Sequence, residues 1–198
     1  MHDKKKDMDF GKIAHRYDDS WGRVFRRFYR LMLAQVASWP GASILDVGCG
    51  TGSMLRIMAD QHAINGFGID MAENMIKEAQ RKCPEMNIQV SRCEETPFED
   101  HSFDVITTNL AYHHFSDRAG FAKEAARILK PGGRLYIGDA RFQWIIRVIM
   151  NGSFRLLRIA GAFYSPEEIY RDLAPYGFIP DGYGKDRYAQ VVRLRMGE

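Results

Sequence analysis

Short apolar runs alternate with longer amphipathic ones along this chain, and that alternation carries most of its structural signal. Val24, Phe25, Phe28, Leu31, Met32, Val36 and Ala37 recur at helical spacing, which predicts a helix over residues 10–39, stopped by Pro40-Gly41. Apolar runs at 43–47, 67–70, 88–91, 103–108 and 134–138 read as strands. Helical patterns at 53–62, 72–81 and 118–129 separate them, with a short helix near 94–97 and a turn at Pro131-Gly132-Gly133. Ser165 and Pro166 are a cap and a first-turn proline, opening a helix that runs to about Tyr176 and ends at Gly177. Two further strands, near 178–182 and 189–196, bring the sheet to seven. Strands alternating with helices predict an α/β, doubly wound, mostly parallel sheet. Right-handed crossovers then place helices on both faces.

Residues 141–163 break this rhythm. Arg141 to Met150 is apolar, aromatic and basic, Asn151-Gly152 is expected to interrupt it, and an apolar run resumes at Phe154. The first nine residues are polar and expected to be disordered, which leaves 10–198 as a single domain with 141–163 as an insert.

Composition narrows the class without choosing within it. The chain has 198 residues, 45% hydrophobic and 27% charged, ordinary values for one soluble globular domain. A net charge of +3 is too small to imply nucleic-acid binding. No run reaches the ~18 apolar residues of a membrane span. The charged start of the chain lacks an apolar signal core, so a cytoplasmic location is expected. Three cysteines, Cys49, Cys83 and Cys93, fit no metal-ligand spacing and are expected to be reduced thiols; no metal is expected.

The chemistry concentrates where the first strand ends. Ile44-Leu45-Asp46-Val47-Gly48-Cys49-Gly50-Thr51-Gly52 runs an apolar strand into a turn with three glycines in five residues. Such a turn bends sharply and lets backbone N–H groups approach a ligand. The spacing is G-x-G-x-G, with Ser53 where a dinucleotide fingerprint has its third glycine. Asp46 beside it would repel a pyrophosphate and attract a sulfonium.

This segment resembles motif I of the class I S-adenosylmethionine-dependent methyltransferases. Gly66-Phe67-Gly68-Ile69-Asp70 is similar to that family's second strand with its acidic end. The run from Glu94 to Asp104 and the turn Ile128–Leu135 are similar to the approaches to its fourth and fifth strands. The resemblance covers about residues 44–140 and implies a Rossmann-like sheet whose last strand is antiparallel. It also implies S-adenosyl-L-methionine as cofactor, with S-adenosyl-L-homocysteine as product.

The family's roles transfer residue by residue. Asp46 and the backbone of Gly48, Cys49, Gly50 and Gly52 would lie along the methionine part. Asp70 would take both ribose hydroxyls, and Met71 would pack on the adenine. Relatives usually carry an acid at the end of the third strand, where this chain has Arg92, which accepts no hydrogen bond. Adenine recognition would then fall to Cys93, Glu94 or stacking, unless Arg92 points to solvent. Upstream, Ile13-Ala14-His15-Arg16-Tyr17-Asp18 is similar to the family's N-terminal helix, which would bring Tyr17 over the cofactor.

Methyl transfer from a sulfonium needs mainly proximity and orientation, and a base only where the acceptor must lose a proton. Asn109, Tyr112, His113 and His114 follow the fourth strand and would border the reacting methyl. Asn109 and Tyr112 share the spacing of the amino-methyltransferase N-P-P-Y motif but lack its prolines. His113 or His114 suits a base near neutral pH. Asp139, at the fifth strand's end, is a further polar candidate. The aromatics of 141–163 suit a flat or apolar acceptor. Arg141, Arg147, Arg155 and Arg158 suit an acidic group on it or peripheral contact with a membrane surface. The expectation is a small-molecule acceptor, quinone-like by resemblance, with no nucleic acid. The competing readings are a cofactor-binding protein without turnover, and a methyltransferase acting on RNA or protein.

Overall fold

The computed structural model of the chain describes residues 14–36, 40–156 and 161–197, with their side chains except at 14–24, 144 and 155. The disorder expected at 1–9, and the side chains of Tyr17, Arg155 and Arg158, lie outside what is described.

Seven strands form one sheet: β1 (Ser43–Val47), β2 (Asn65–Asp70), β3 (Asn87–Val90), β4 (Phe103–Asn109), β5 (Leu129–Ala140), β6 (Phe178–Lys185) and β7 (Ala189–Met196). Their order is β3-β2-β1-β4-β5-β7-β6. The first five pair in parallel, and β7 runs antiparallel to both β5 and β6. The helices are α1 (Ala14–Gln35), α2 (Ser53–Gln61), α3 (Glu73–Lys82), α4 (Arg118–Ile128), α5 (Trp144–Leu156) and α6 (Pro166–Leu173). This is the doubly wound, mostly parallel sheet that the alternation predicts.

The period-2 alternation of each strand decides which helices it holds. In β1 and β4, Ile44 and Val105 pack with Met32 of α1 and with Met54 and Met58 of α2. Their neighbours Leu45 and Ile106 point the other way, into a cluster with Phe121 and Ile128 of α4 and with Ile169 of α6. Both faces of these strands are buried, which is why apolar residues stand side by side at Ile44-Leu45 and Val105-Ile106 instead of alternating with polar ones.

Three local expectations fail. No helix forms at 94–97; Arg92 and Glu95 form an isolated bridge, and the buried Glu124 carboxylate accepts from the Thr96 N–H (2.7 Å) and hydroxyl (2.6 Å). Pro131-Gly132-Gly133 is not a separate turn but lies within β5, where pairing with β4 shifts from Phe103–Leu129 to Val105–Arg134. Asn151-Gly152 does not break α5, which continues to Leu156. The Asn151 amide is held instead by both backbone groups of Phe163, at 2.9 and 3.0 Å. At α6 the cap is reciprocal: the Ser165 hydroxyl accepts from the Glu168 N–H, and the Glu168 carboxylate accepts from the Ser165 N–H.

Candidate active site

The strand order reverses between β1 and β2 on one side and β4 on the other, so a crevice opens beyond their carboxyl ends. It is lined by Asp46, Gly48, Gly50, Asp70, Asn109 and His114, with Phe25 and Tyr29 of α1 across the opening.

The glycine corner is tightly built. Gly48 has φ +73°, and a Cβ there would lie 2.5 Å from the Ala111 Cβ. Gly50 has φ +53°, and a Cβ there would meet nothing within 4 Å, because its Cα faces open space. The expectation that this corner offers N–H groups to a ligand is corrected. Gly48 and Cys49 both donate to the Ile69 carbonyl (2.8 and 3.0 Å), Gly50 donates to Asp70 Oδ2 (3.0 Å), and Gly52 donates to the Cys49 carbonyl (3.0 Å). A phosphate nest needs just these donors. What the corner contributes instead is close approach without a side chain.

Two carboxylates face the crevice. Asp70 is fixed by two backbone donors, Gly50 on Oδ2 and Ala72 on Oδ1 (2.8 Å), so its remaining lone pairs keep one orientation. Burial raises its pKa, and those two N–H groups oppose the rise. Asp46 is buried and accepts from the Thr107 hydroxyl at 2.8 Å across the β1–β4 pairing. Burial pushes its carboxyl up to about 7; the Thr107 hydrogen bond lowers it, and the Asp70 charge raises it further. A crevice with two acids, and with these corner N–H groups spent, repels anions and suits a ligand carrying positive charge.

The opposite wall follows β4. Leu110 takes a left-handed conformation (φ +58°), and its N–H is tied to the Gly138 carbonyl at 2.8 Å. The Asn109 side chain is wedged against Gly138, and both its amide atoms are buried without a partner among the described residues. A buried amide in that state calls for a partner, and the crevice beside it is where a ligand could supply one. His113 Nδ1 lies 2.9 Å from Asp139 Oδ2, and the His113 and His114 rings are 4.0 Å apart. Burial, and then the neighbouring His113, push His114 down to about 4, which keeps it neutral near pH 7. Phe163 packs on His113 at 4.8 Å, and Phe142 and Phe154 pack on Phe163.

Several expected site residues stand elsewhere. Tyr112 does not face the crevice; its ring is buried in the core against Phe115, Phe121 and Tyr164, and burial raises its hydroxyl pKa. It is a packing residue. Gly52 faces α3, with a hypothetical Cβ 3.1 Å from that of Ala79. Met71 is exposed past the tip of β2. Cys93 and Glu94, past β3, are absent from the crevice lining; Cys93 Sγ lies 3.2 Å from Glu94, and Arg92 forms an ion pair with Glu94. The residue at the usual acidic position thus engages the nearest acid rather than solvent alone.

Thr107, Leu110 and the α1 aromatics escaped the sequence reading. In the sequence Thr107 is a hydroxyl inside an apolar strand, and Phe25 is one apolar position of an amphipathic helix. The crevice fits S-adenosylmethionine on three counts: the orphaned Asn109 amide, the open Cα face of Gly50 and the paired carboxylates.

The relatives agree with this geometry. Residues 45–137 match a methyltransferase domain model. The ubiquinone/menaquinone biosynthesis C-methyltransferase UbiE of Geotalea daltonii is 31% identical over 180 residues, covering 83% of this chain and 76% of that protein. The 2-methyl-6-phytyl-1,4-hydroquinone methyltransferase of Synechocystis is 39% identical over 103 residues, covering 50% of this chain and 32% of that protein; the chain spans about a third of that relative's length. A structure of the complex between the Haloferax volcanii Trm112 methyltransferase activator and its putative methyltransferase superposes with a TM-score of 0.80 at 20% identity, covering 96% of this chain and 98% of that one; at this identity it speaks to fold alone. Motif order, sheet topology, crevice and relatives together place the chain among the class I S-adenosylmethionine-dependent methyltransferases.

Proposed function

We propose that this chain methylates a small, flat, largely apolar acceptor of the quinol class. The observation that carries the proposal is the position of the Asp139–His113–Phe163 group, an acid, an imidazole and an aromatic wall beside the crevice. The names of the Geotalea and Synechocystis relatives, both quinone-pathway methyltransferases, support the same class.

S-adenosylmethionine, when bound, supplies a methyl group already activated on sulfur. Asp70 would hold the ribose hydroxyls, while Asp46 and the side-chain-free edges of Gly48 and Gly50 would border the methionine part. Cys49 lies beneath that corner, and burial keeps its thiol protonated. Asn109 would offer its amide near the transferring centre. Adenine would lie toward Met71, Cys93 and Glu94, and Tyr17 remains the candidate cover from α1. In the tautomer whose Nδ1–H donates to Asp139, His113 would present Nε2 as an acceptor and take the proton that a quinol carbon or hydroxyl must lose. His114, neutral at the crevice wall, would shape the acceptor site. Phe142 and Phe163 would keep it dry, which strengthens the electrostatics within. The segment 141–163 is in this reading the acceptor-side wall of a single domain.

The test is a product-nucleoside assay over an acceptor panel. Reduced quinones should turn over, and His113→Ala should cut kcat about 100-fold or more with cofactor affinity unchanged. Turnover of tRNA or a protein substrate, but of no quinol, would overturn the acceptor class. Cofactor binding with no turnover of any acceptor would favour the binding-protein reading.

A further inference from the structure

We propose that the outer face of α5 docks this protein onto an anionic lipid bilayer.

Polarity is reversed along this helix. A surface helix normally turns its aliphatic stripe inward and its charges outward. In α5 the inward-facing positions are Arg147, which forms an ion pair with Glu168, Asn151, bonded to the Phe163 backbone, and Phe154, packed on the Phe163 ring. The aliphatics face out. Ile145 is 62% exposed, Val148 50%, Ile149 61% and Leu156 83%. These positions are spaced i, i+3, i+4 and i+11, so they form one stripe on one side of the helix. Isolated exposed aliphatics are ordinary, but a contiguous stripe marks a contact surface.

Charge selects the occupant. Between residues 141 and 163 the chain has four arginines and no aspartate or glutamate. Arg147 is neutralised by Glu168, which leaves the segment positive. At the entry to α5, the Arg141 N–H donates to the Tyr188 carbonyl (2.7 Å), and half-exposed Tyr188 lies beneath the guanidiniums of Arg27 (4.8 Å) and Arg187 (5.1 Å). Arg27 also pairs with Asp186. An aliphatic stripe with arginines and a tyrosine at its end matches the boundary between acyl chains and anionic headgroups. α5 is far too short to span, and no described helix is long and apolar enough to cross a membrane, so the contact is a resting one. The inference is independent of which acceptor is methylated.

The test is co-sedimentation of the full chain with vesicles of phosphatidylglycerol and phosphatidylcholine, or of phosphatidylcholine alone. The protein should pellet with the anionic vesicles, release in high salt, and leave the neutral ones alone. Ile145→Glu with Ile149→Glu should lower the partition coefficient at least about tenfold, with cofactor affinity intact. Ile145→Ser with Ile149→Ser is the milder check if the first pair unfolds. Failure to bind anionic vesicles, equal binding to neutral ones, or undiminished binding of both variants would overturn the proposal. So would sedimentation velocity showing a dimer that the variants dissociate, because the stripe would then belong to a second copy.

Discussion

The two walls of the crevice are built in opposite ways. The carboxylate wall is mostly local and backbone-made: 28 consecutive residues, Ser43–Asp70, supply β1, the glycine corner, α2 and β2, the Gly50 N–H orients Asp70, and Thr107 of β4 adds a hydroxyl on Asp46. The histidine wall is assembled from distant pieces through side chains. His113 and Asp139 are 26 residues apart, and Asn151 fixes Phe163, which in turn rests on His113. A wall made of main chain holds one ligand rigidly and changes little. One made of side chains is easily re-cut for a different acceptor. This division is what a family with one cofactor and many acceptors requires, and it makes the two walls separable by mutation.

The largest effect should come from the rigid wall. Asp70→Ala removes two ligand-facing acceptors and also unpins Gly50 and Ala72. Calorimetry should find S-adenosylmethionine affinity lowered at least about 100-fold, the sum of two charge-assisted hydrogen bonds. Asp70→Asn keeps the shape and should recover part of the loss. An Ala variant that binds like the wild type would remove Asp70 from the ligand. On the assembled wall the effect should be smaller and of a different kind. Asn151→Ala frees both backbone groups of Phe163. The acceptor KM should rise by up to about 30-fold while cofactor affinity holds, given about 1 kcal/mol for each of the two bonds. An equal loss on both sides would mean that the two walls are one unit.

The same division explains what could be read in advance. β1 matches its expected span of 43–47, and the glycine corner stands where the motif puts it, because turn chemistry and strand period are local properties. Features held by remote partners were invisible. Asn151-Gly152 reads as a break, yet Phe163, twelve residues on, satisfies the Asn151 amide and the helix continues. The sequence predicts a short helix near 94–97, but Glu124, on α4, accepts from the Thr96 N–H and no helix forms. Tyr112 matched a motif spacing, but its ring serves the core. The corner is legible in place, but the partners of its N–H groups are not, since a sequence does not reveal where an N–H points.

The smallest effect tests the charge logic of the rigid wall. Asp46 titrates near 7 because burial disfavours its ionised form. The folded chain therefore prefers the neutral acid: this carboxyl favours folding most below its ordinary pKa, and that contribution is lost as pH rises from about 4 toward 7. A sulfonium reverses the preference, because it gains from the carboxylate and not from the acid. Affinity for S-adenosylmethionine should thus rise as pH goes from 6 to 8, by at most about tenfold, the change in ionised fraction of a group titrating near 7. S-adenosylhomocysteine has a neutral thioether and should gain much less, so the ratio of the two affinities, measured across that range, isolates the charge from every pH effect on the shared nucleoside. Asp46→Asn should flatten the ratio. Parallel pH curves for the two ligands in the wild type would mean that Asp46 is neutral with either bound, and Asp70 would then be the only charged group meeting the ligand from this wall.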